Sequence, residues 1–333
     1  MYVVLDSNIW ISEWGLNTNK GSAVRFYIKQ KKATLALPEI IKEEVERKLQ
    51  NFLSESCKDI QTRHNQLLSV FGQLKEVVLP TEVEIAQKAK SLFDDVKLDL
   101  HSVPFTLESA KSSLRKIYEK KPPSDQNQQF KDGVIWANCL DLLEVDDVII
   151  VTEDKAFFKG KSYKNGIAAN LKKEANSFKN YISIYSSLTE LLEEIKSTVN
   201  IDKETLISKF TDIMKDSMNS ILERNGFSIS SQANVNISPY VTEDPDKLYI
   251  EFEILFDCID TRGEGRINAT LLLKGDGYYA SDNKELLELK NQGEELSFDD
   301  GSEGRKKINN SYASMNMVLG HRTVEHSIRY KIQ

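Results

Sequence analysis

Cysteine is scarce in this chain. Three occur in 333 residues, at Cys57, Cys139 and Cys258, an odd number with no CxxC spacing. That excludes a disulfide framework and a cysteine zinc site, and it reads as reduced thiols in a cytosolic protein. Histidine is almost as rare. His321 and His326 are five apart and would face opposite sides of a strand, so they make no metal pair. Long apolar runs are missing: none approaches the about 18 residues that a membrane span needs. A strand beginning at Tyr2 leaves no room for a signal peptide. The expectation is a cytoplasmic protein with no membrane attachment. A phosphate-binding loop is missing too. "KAFFKGKS" (155–162) follows a strand and ends in Gly-Lys-Ser, but that pattern needs glycine where Lys155 stands. Net positive charge is also lacking, at a formal −7.

What is present is ordinary in amount and uneven in place. Hydrophobic residues are 40% and charged residues 29%, as in soluble globular proteins, and the length suits two domains. Between Lys155 and Lys179 there are seven lysines against Glu174 alone, a local +6 that leaves −13 for the rest. Such a stripe is either a solvated surface or a track for phosphates.

The first half alternates strand and helix. "YVVLD", "ATLAL" (33–37), "EVVLP" (76–80), "DVIIVT" (147–152) and "YISIY" (181–185) read as five strands. Helical stretches separate them: residues 21–31, "EIIKEEVERKLQNFL" after Pro38, 83–96, 106–119, "DGVIWANCLDLL" and "SLTELLEEI". Strands alternating with helices predict an α/β fold, a doubly wound five-stranded parallel sheet.

Four acids fall at one edge of that sheet. Asp6 ends the first strand, and Glu44 lies in the helix after the second. Asp132 starts the helix before the fourth strand, and Asp154 follows that strand. Each has a plainer reading: Asp6 and Asp132 as helix caps, Glu44 as a solvated helix position, Asp154 as a turn residue. Open parallel sheets bind ligands beyond their carboxyl ends. Four carboxylates gathered there would repel one another and raise their pKa values. A hard divalent cation relieves this, since Mg²⁺ takes oxygen ligands, and two such ions could clamp the oxygens of an in-line phosphoryl displacement.

"VLDSNIWI", "LPEIIKEEVERK", "KPPSDQNQQFKDGVIWANCLDL" and "VIIVTEDKAFF", in this order, resemble the PIN domain, a metal-dependent nuclease fold. The likeness is to its bacterial branch, with a helical insertion between strands three and four, over residues 1–197. The resemblance implies Asp6, Glu44, Asp132 and Asp154 as catalytic and metal-binding residues for Mg²⁺ or Mn²⁺. Ser7 or Asn8 would orient Asp6 or hold water. Members often carry a further acid where Ala156 stands here. Nucleic acid would be the partner, with Lys155, Lys159, Lys161 and Lys164 on the cleft wall, joined by Arg115, Lys120 and Lys121.

Residues 198–333 read as an accessory α+β domain. An amphipathic helix over 202–223 presents Leu206, Phe210, Ile213, Ser217 and Ile221 on one face and stops at Asn225-Gly226. Period-two strands follow. Leu248, Ile250, Phe252, Ile254 and Phe256 oppose Tyr249, Glu251, Glu253 and Asp257. Ile267 to Leu273, Ala313 to Leu319 and Val324 to Ile332 repeat the pattern. This predicts a half-solvated antiparallel sheet, with "SFDDGSEGRKK" as a mobile loop. The domain would sense substrate, self-associate or dock a protein partner.

The leading expectation is a metal-dependent endoribonuclease acting on tRNA or single-stranded RNA, a toxin or defence effector checked by its second domain. The alternatives are a degenerate PIN binding or scaffolding module and a structure-specific DNA nuclease.

Overall fold

The computed structural model describes residues 1–124, 129–301 and 304–310. The chain divides into two compact units, Met1–Leu191 and Leu192–Gln333.

In the first unit five strands pair in parallel: β1 (Tyr2–Leu5), β2 (Thr34–Pro38), β3 (Leu100–Val103), β4 (Val148–Val151) and β5 (Ile182–Tyr185). Their order is β3-β2-β1-β4-β5, the doubly wound sheet expected. The chain winds outward one way through β2 and β3, then the other way through β4 and β5. The switch point therefore lies between β1 and β4, where such sheets hold their ligands. The helices are α1 (Ser7–Ser12), α2 (Asn19–Gln30), α3 (Glu39–Phe71), α4 (Glu82–Ser91), α5 (Leu107–Tyr118), α6 (Phe130–Val145), α7 (Ala169–Ala175) and α8 (Leu188–Leu192). Val3, Val4 and Leu5 on β1 are fully buried, as is most of β4, as befits central strands of a parallel sheet.

The third strand is not "EVVLP". Residues 73–80 form no ladder, and Val78 is 88% exposed. Lys75 instead gives its carbonyl to His64 Nε2 at 2.9 Å. The third strand is "LHSV" at 100–103, an edge strand with His101 and Ser102 exposed. An edge tolerates polar residues that an apolar-run criterion passes over. Of the two helical stretches expected after the third strand, 83–96 thus precedes it as α4, while 106–119 still follows it as α5.

Gly133 sets the start of α6. A Cβ there would lie 2.3 Å from Ser113 Oγ, so only glycine lets α5 approach this closely. Ser113 Oγ donates to the Phe130 carbonyl at 2.6 Å, which pins the turn carrying Asp132.

The second unit is a helix followed by an antiparallel meander. The helix is α9 (Lys203–Asn225), and the strands are β6 (Phe227–Val241), β7 (Lys247–Asp260), β8 (Ile267–Ala280), β9 (Glu285–Asp300) and β10 (Gly304–Asn310), hydrogen-bonded in chain order. Gly226 ends α9 in the left-handed conformation, at φ 70°, as a helix-stopping glycine does. Leu206, Phe210, Met214, Met218 and Ile221 are buried with Ile250, Phe252, Ile254 and Leu271. Phe210 meets Phe252 edge-on at 4.7 Å, a favoured aromatic geometry.

Four details of this unit differ from expectation. Ile213 is 58% exposed, because the buried stripe runs through Met214 and Met218 instead. Tyr249 is buried, stacked on Tyr240 at 5.9 Å. Ile267 is exposed, and a register shift separates it from Thr270. The expected mobile loop is largely strand, since Ser297–Asp300 pair with Gly304–Lys307. The strands expected over 313–319 and 324–332, with His321 and His326, lie outside the described residues. Residues preceding α9 are tied to this unit: Ser197 N–H donates to the Pro239 carbonyl, and Tyr240 Oη to Glu193. Among the described residues, no helix is long and apolar enough to cross a membrane.

Candidate active site

The site grows out of the ends of β1 and β4. Asp6 follows β1 directly, and its backbone N–H bonds the Val151 carbonyl at 3.0 Å. It caps α1, accepting from Ser7 N–H at 2.6 Å. Its other oxygen accepts from Thr152 Oγ1 at 2.7 Å. The same hydroxyl accepts from Asp154 N–H at 3.0 Å. Asp154 caps a short 3₁₀ turn through Ala156 N–H at 2.7 Å and accepts from Gln129 Nε2 at 2.9 Å. One chain of hydrogen bonds thus runs from Asp6 through Thr152 to Asp154 and Gln129. Asp6 and Asp154 are therefore caps and members of a cluster at once. Asp132 is not a cap: Gln129 occupies that position of α6, and Asp132 sits in the first turn.

The electrostatics join these acids. Burial raises the Asp6 carboxyl, hydrogen bonds from Thr152 and Ser7 oppose that, and the charges of Glu44 and Asp154 add to the rise. Asp132 is pushed up to about 8. Burial is the largest cause, followed by the charges of Asp154 and Asp6 and a hydrogen bond to Asp154, which only the protonated acid can donate. Glu153, between Thr152 and Asp154, is also raised, first by desolvation and then by Asp6.

Glu44 differs. Burial pushes its carboxyl up, but Lys131 and Lys48 outweigh that and hold it below the usual range. Lys131 Nζ lies 2.5 Å and Lys48 Nζ 2.9 Å from the same oxygen, Oε1. Lys48 also reaches Asn8 Oδ1 at 3.4 Å. Of the two polar residues after Asp6, Ser7 thus orients the acid through its backbone, while Asn8 meets Lys48.

Of the expected basic residues, Lys155 lies over the Tyr163 ring at 5.5 Å. Lys159 and Lys161 sit on the second and Lys164 on the third of three 3₁₀ turns spanning 155–165, the first of which carries Lys155. Tyr163 anchors this loop, packing on Phe158 at 5.0 Å and donating to the Glu153 carbonyl at 2.7 Å. No helix follows Ser162 until α7, so the Gly-Lys-Ser is not a phosphate-binding loop. Glu174 is turned to Lys116, at 2.5 Å, and Trp136 Nε1, at 2.8 Å. Arg115 and Lys120 are exposed, and Lys121 pairs with Glu119 at 2.7 Å.

Sequence reasoning missed Thr152, Gln129, Lys48 and Lys131. Thr152 carried a faint signal, a hydroxyl ending a buried apolar strand. The lysines carried none, because solvated helix faces are rich in lysine.

Among the described residues, no three His, Cys, Asp or Glu side chains already stand together as a metal cage. The donor chemistry nevertheless fits a hard cation: all oxygen, partly buried, and carried by Asp6 and Asp132, whose burial and mutual charge disfavour ionisation without a cation. Asp6, Asp132 and Asp154 would hold the ion, with Glu44 at the flank.

A parallel α/β unit with an acid cluster at its switch point is the class defined by fold and site. Residues 3–157 match the family model described as PIN domain. The first unit thus carries a PIN domain, generally a nuclease fold. No curated protein and no solved structure matches the chain.

Proposed function

We propose that the protein is a divalent-metal-dependent endonuclease that hydrolyses phosphodiester bonds, with RNA as its favoured substrate. The observation that carries this is the hydrogen-bonded chain joining Asp6 through Thr152 to Asp154 at the ends of β1 and β4, with Asp132 pushed up beside them by burial and by their charges. A fold gains no stability from converging carboxylates, so their convergence points to a site built for a cation. Bound Mg²⁺ or Mn²⁺ supplies Lewis acidity toward a phosphoryl oxygen. The chain's own residues do the rest. Asp6 and Asp154 are held in orientation by Thr152, Ser7, Ala156 and Gln129. Asp132 would give up its proton as the cation enters and hold that cation as a carboxylate. The lysines of the 155–165 loop bind neighbouring phosphates. The preference for RNA rests on family resemblance alone. The second unit would select substrate or restrain activity, as suits a toxin or defence effector.

The lysine-neutralised Glu44 favours a second reading, a PIN module that binds nucleic acid without cutting it. One experiment separates the two. The full chain is incubated with labelled tRNA, single-stranded RNA and flap DNA, with Mg²⁺, Mn²⁺ or EDTA. The expected result is cleavage only with metal. Asp6→Asn, whose side chain still caps, should lose about 10²-fold or more in single-turnover rate while melting normally. Undiminished cleavage in EDTA would falsify the metal mechanism, and metal-independent binding without cutting would establish the second reading. Cleavage confined to flap DNA would reassign the substrate.

A further inference from the structure

Among the described residues, no ammonium or guanidinium bonds Asp6, Asp132 or Asp154, while Glu44 has two partners of that kind. Lys131 and Lys48 both bond Glu44 Oε1, yet they are not equivalent. Lys48 follows Glu44 on the same helix and is also held by Asn8. Lys131 comes from α6, next to Asp132, and its side chain is 47% exposed. Its long stem can swing the ammonium into water, where it is well hydrated, and a half-exposed ion pair costs little to open. Glu44 Oε1 already carries two ammoniums, so a divalent ion drawing on the same carboxylate would repel both, and the one free to leave is Lys131.

We propose that Lys131 is the protein's own counter-ion for Glu44, displaced when a divalent cation held among Asp6, Asp132 and Asp154 also draws on Glu44. The inference rests on reading those acids as a metal site. It accounts for Glu44 standing apart from the other three, since an ammonium already balances it. It also makes Lys131 a positioning residue with two places: on Glu44 without metal, and free for a nucleic-acid phosphate with metal.

The test is Mn²⁺ affinity of the full chain without nucleic acid, read by calorimetry or by the electron-spin signal of free Mn²⁺. Lys131→Gln should tighten binding by about threefold to tenfold, since a competitor for Glu44 has gone. Removing any nearby positive charge could tighten binding at a distance, so the change is repeated in the Glu44→Gln background. There it should have less than about a twofold effect, because a pairwise interaction vanishes with its partner. Equal tightening in both backgrounds, or no tightening in the first, overturns the proposal while Mn²⁺ binding stands. If the unaltered chain binds no Mn²⁺ at all, the metal site itself is overturned and the proposal with it.

Discussion

At Asp132 a negative charge is opposed from two directions. Burial removes its water, and Asp154 and Asp6 repel it, so the folded carboxyl sits at about 8 against an ordinary 3.8. The sign of the linkage follows. Between about pH 4 and pH 8 the folded chain holds a proton here that the unfolded chain has released. Stability from this group is therefore complete below the lower value and is lost as pH rises through the upper one. Without metal, the chain should melt progressively lower from pH 5 to pH 8. Asp132→Asn should reduce this slope, leaving the smaller part due to the raised Asp6 and Glu153, and melt higher than the unaltered chain at pH 8. Each 1 kcal/mol recovered there would appear as about 2–4 °C. Scanning calorimetry in EDTA across that range checks this. A slope undiminished in Asp132→Asn would assign it to other groups.

The element that speaks for nucleic acid is the loop over 155–165. Its backbone is fixed by Phe158 and Tyr163, so its lysines are presented on a built surface. The one acid of the stripe, Glu174, is engaged by Lys116 and Trp136 and offsets little of the loop's charge. Each lysine that touches a phosphate releases counterions, which gives binding a salt dependence. Changing Lys159, Lys161 and Lys164 to Glu should weaken RNA binding. It should also flatten the plot of log affinity against log salt, by about 0.7 for each single-strand phosphate no longer neutralised. Fluorescence anisotropy over a range of KCl concentrations measures both. An unchanged slope would make the loop a solvated surface.

At the scale of the whole molecule, all five parallel strands and the four acids precede α9. A chain ended after Ser197 should fold cooperatively and retain its Mn²⁺ affinity, because no described hydrogen bond of Asp6, Asp132 or Asp154 involves a later residue. Substrate choice or oligomeric state should change instead. Circular dichroism with Mn²⁺ titration tests this, and an unfolded fragment would show that the units share a core.

The α/β class, the approximate course of β1, β2, β4 and β5, and the placing of Asp6 and Asp154 just past β1 and β4 were legible in the amino-acid order. Local pattern suffices there: central parallel strands must be apolar throughout, and a polar residue at their ends stands out. Where β3 lies was decided only by the fold. "EVVLP" has the better strand pattern, but an edge position accepts "LHSV", and pairing depends on which segment reaches β2. The buried face of α9 was decided in the same way, by packing against the sheet, which took Met214 and Met218 and left Ile213 in water. The partners of the acids were likewise beyond local reading. Lys131 is 87 residues from Glu44, and Thr152 is 146 from Asp6. The chain order supplies the chemical groups, but only the assembled sheet brings them within hydrogen-bond distance, because a side chain's neighbours are set by the path of the whole backbone.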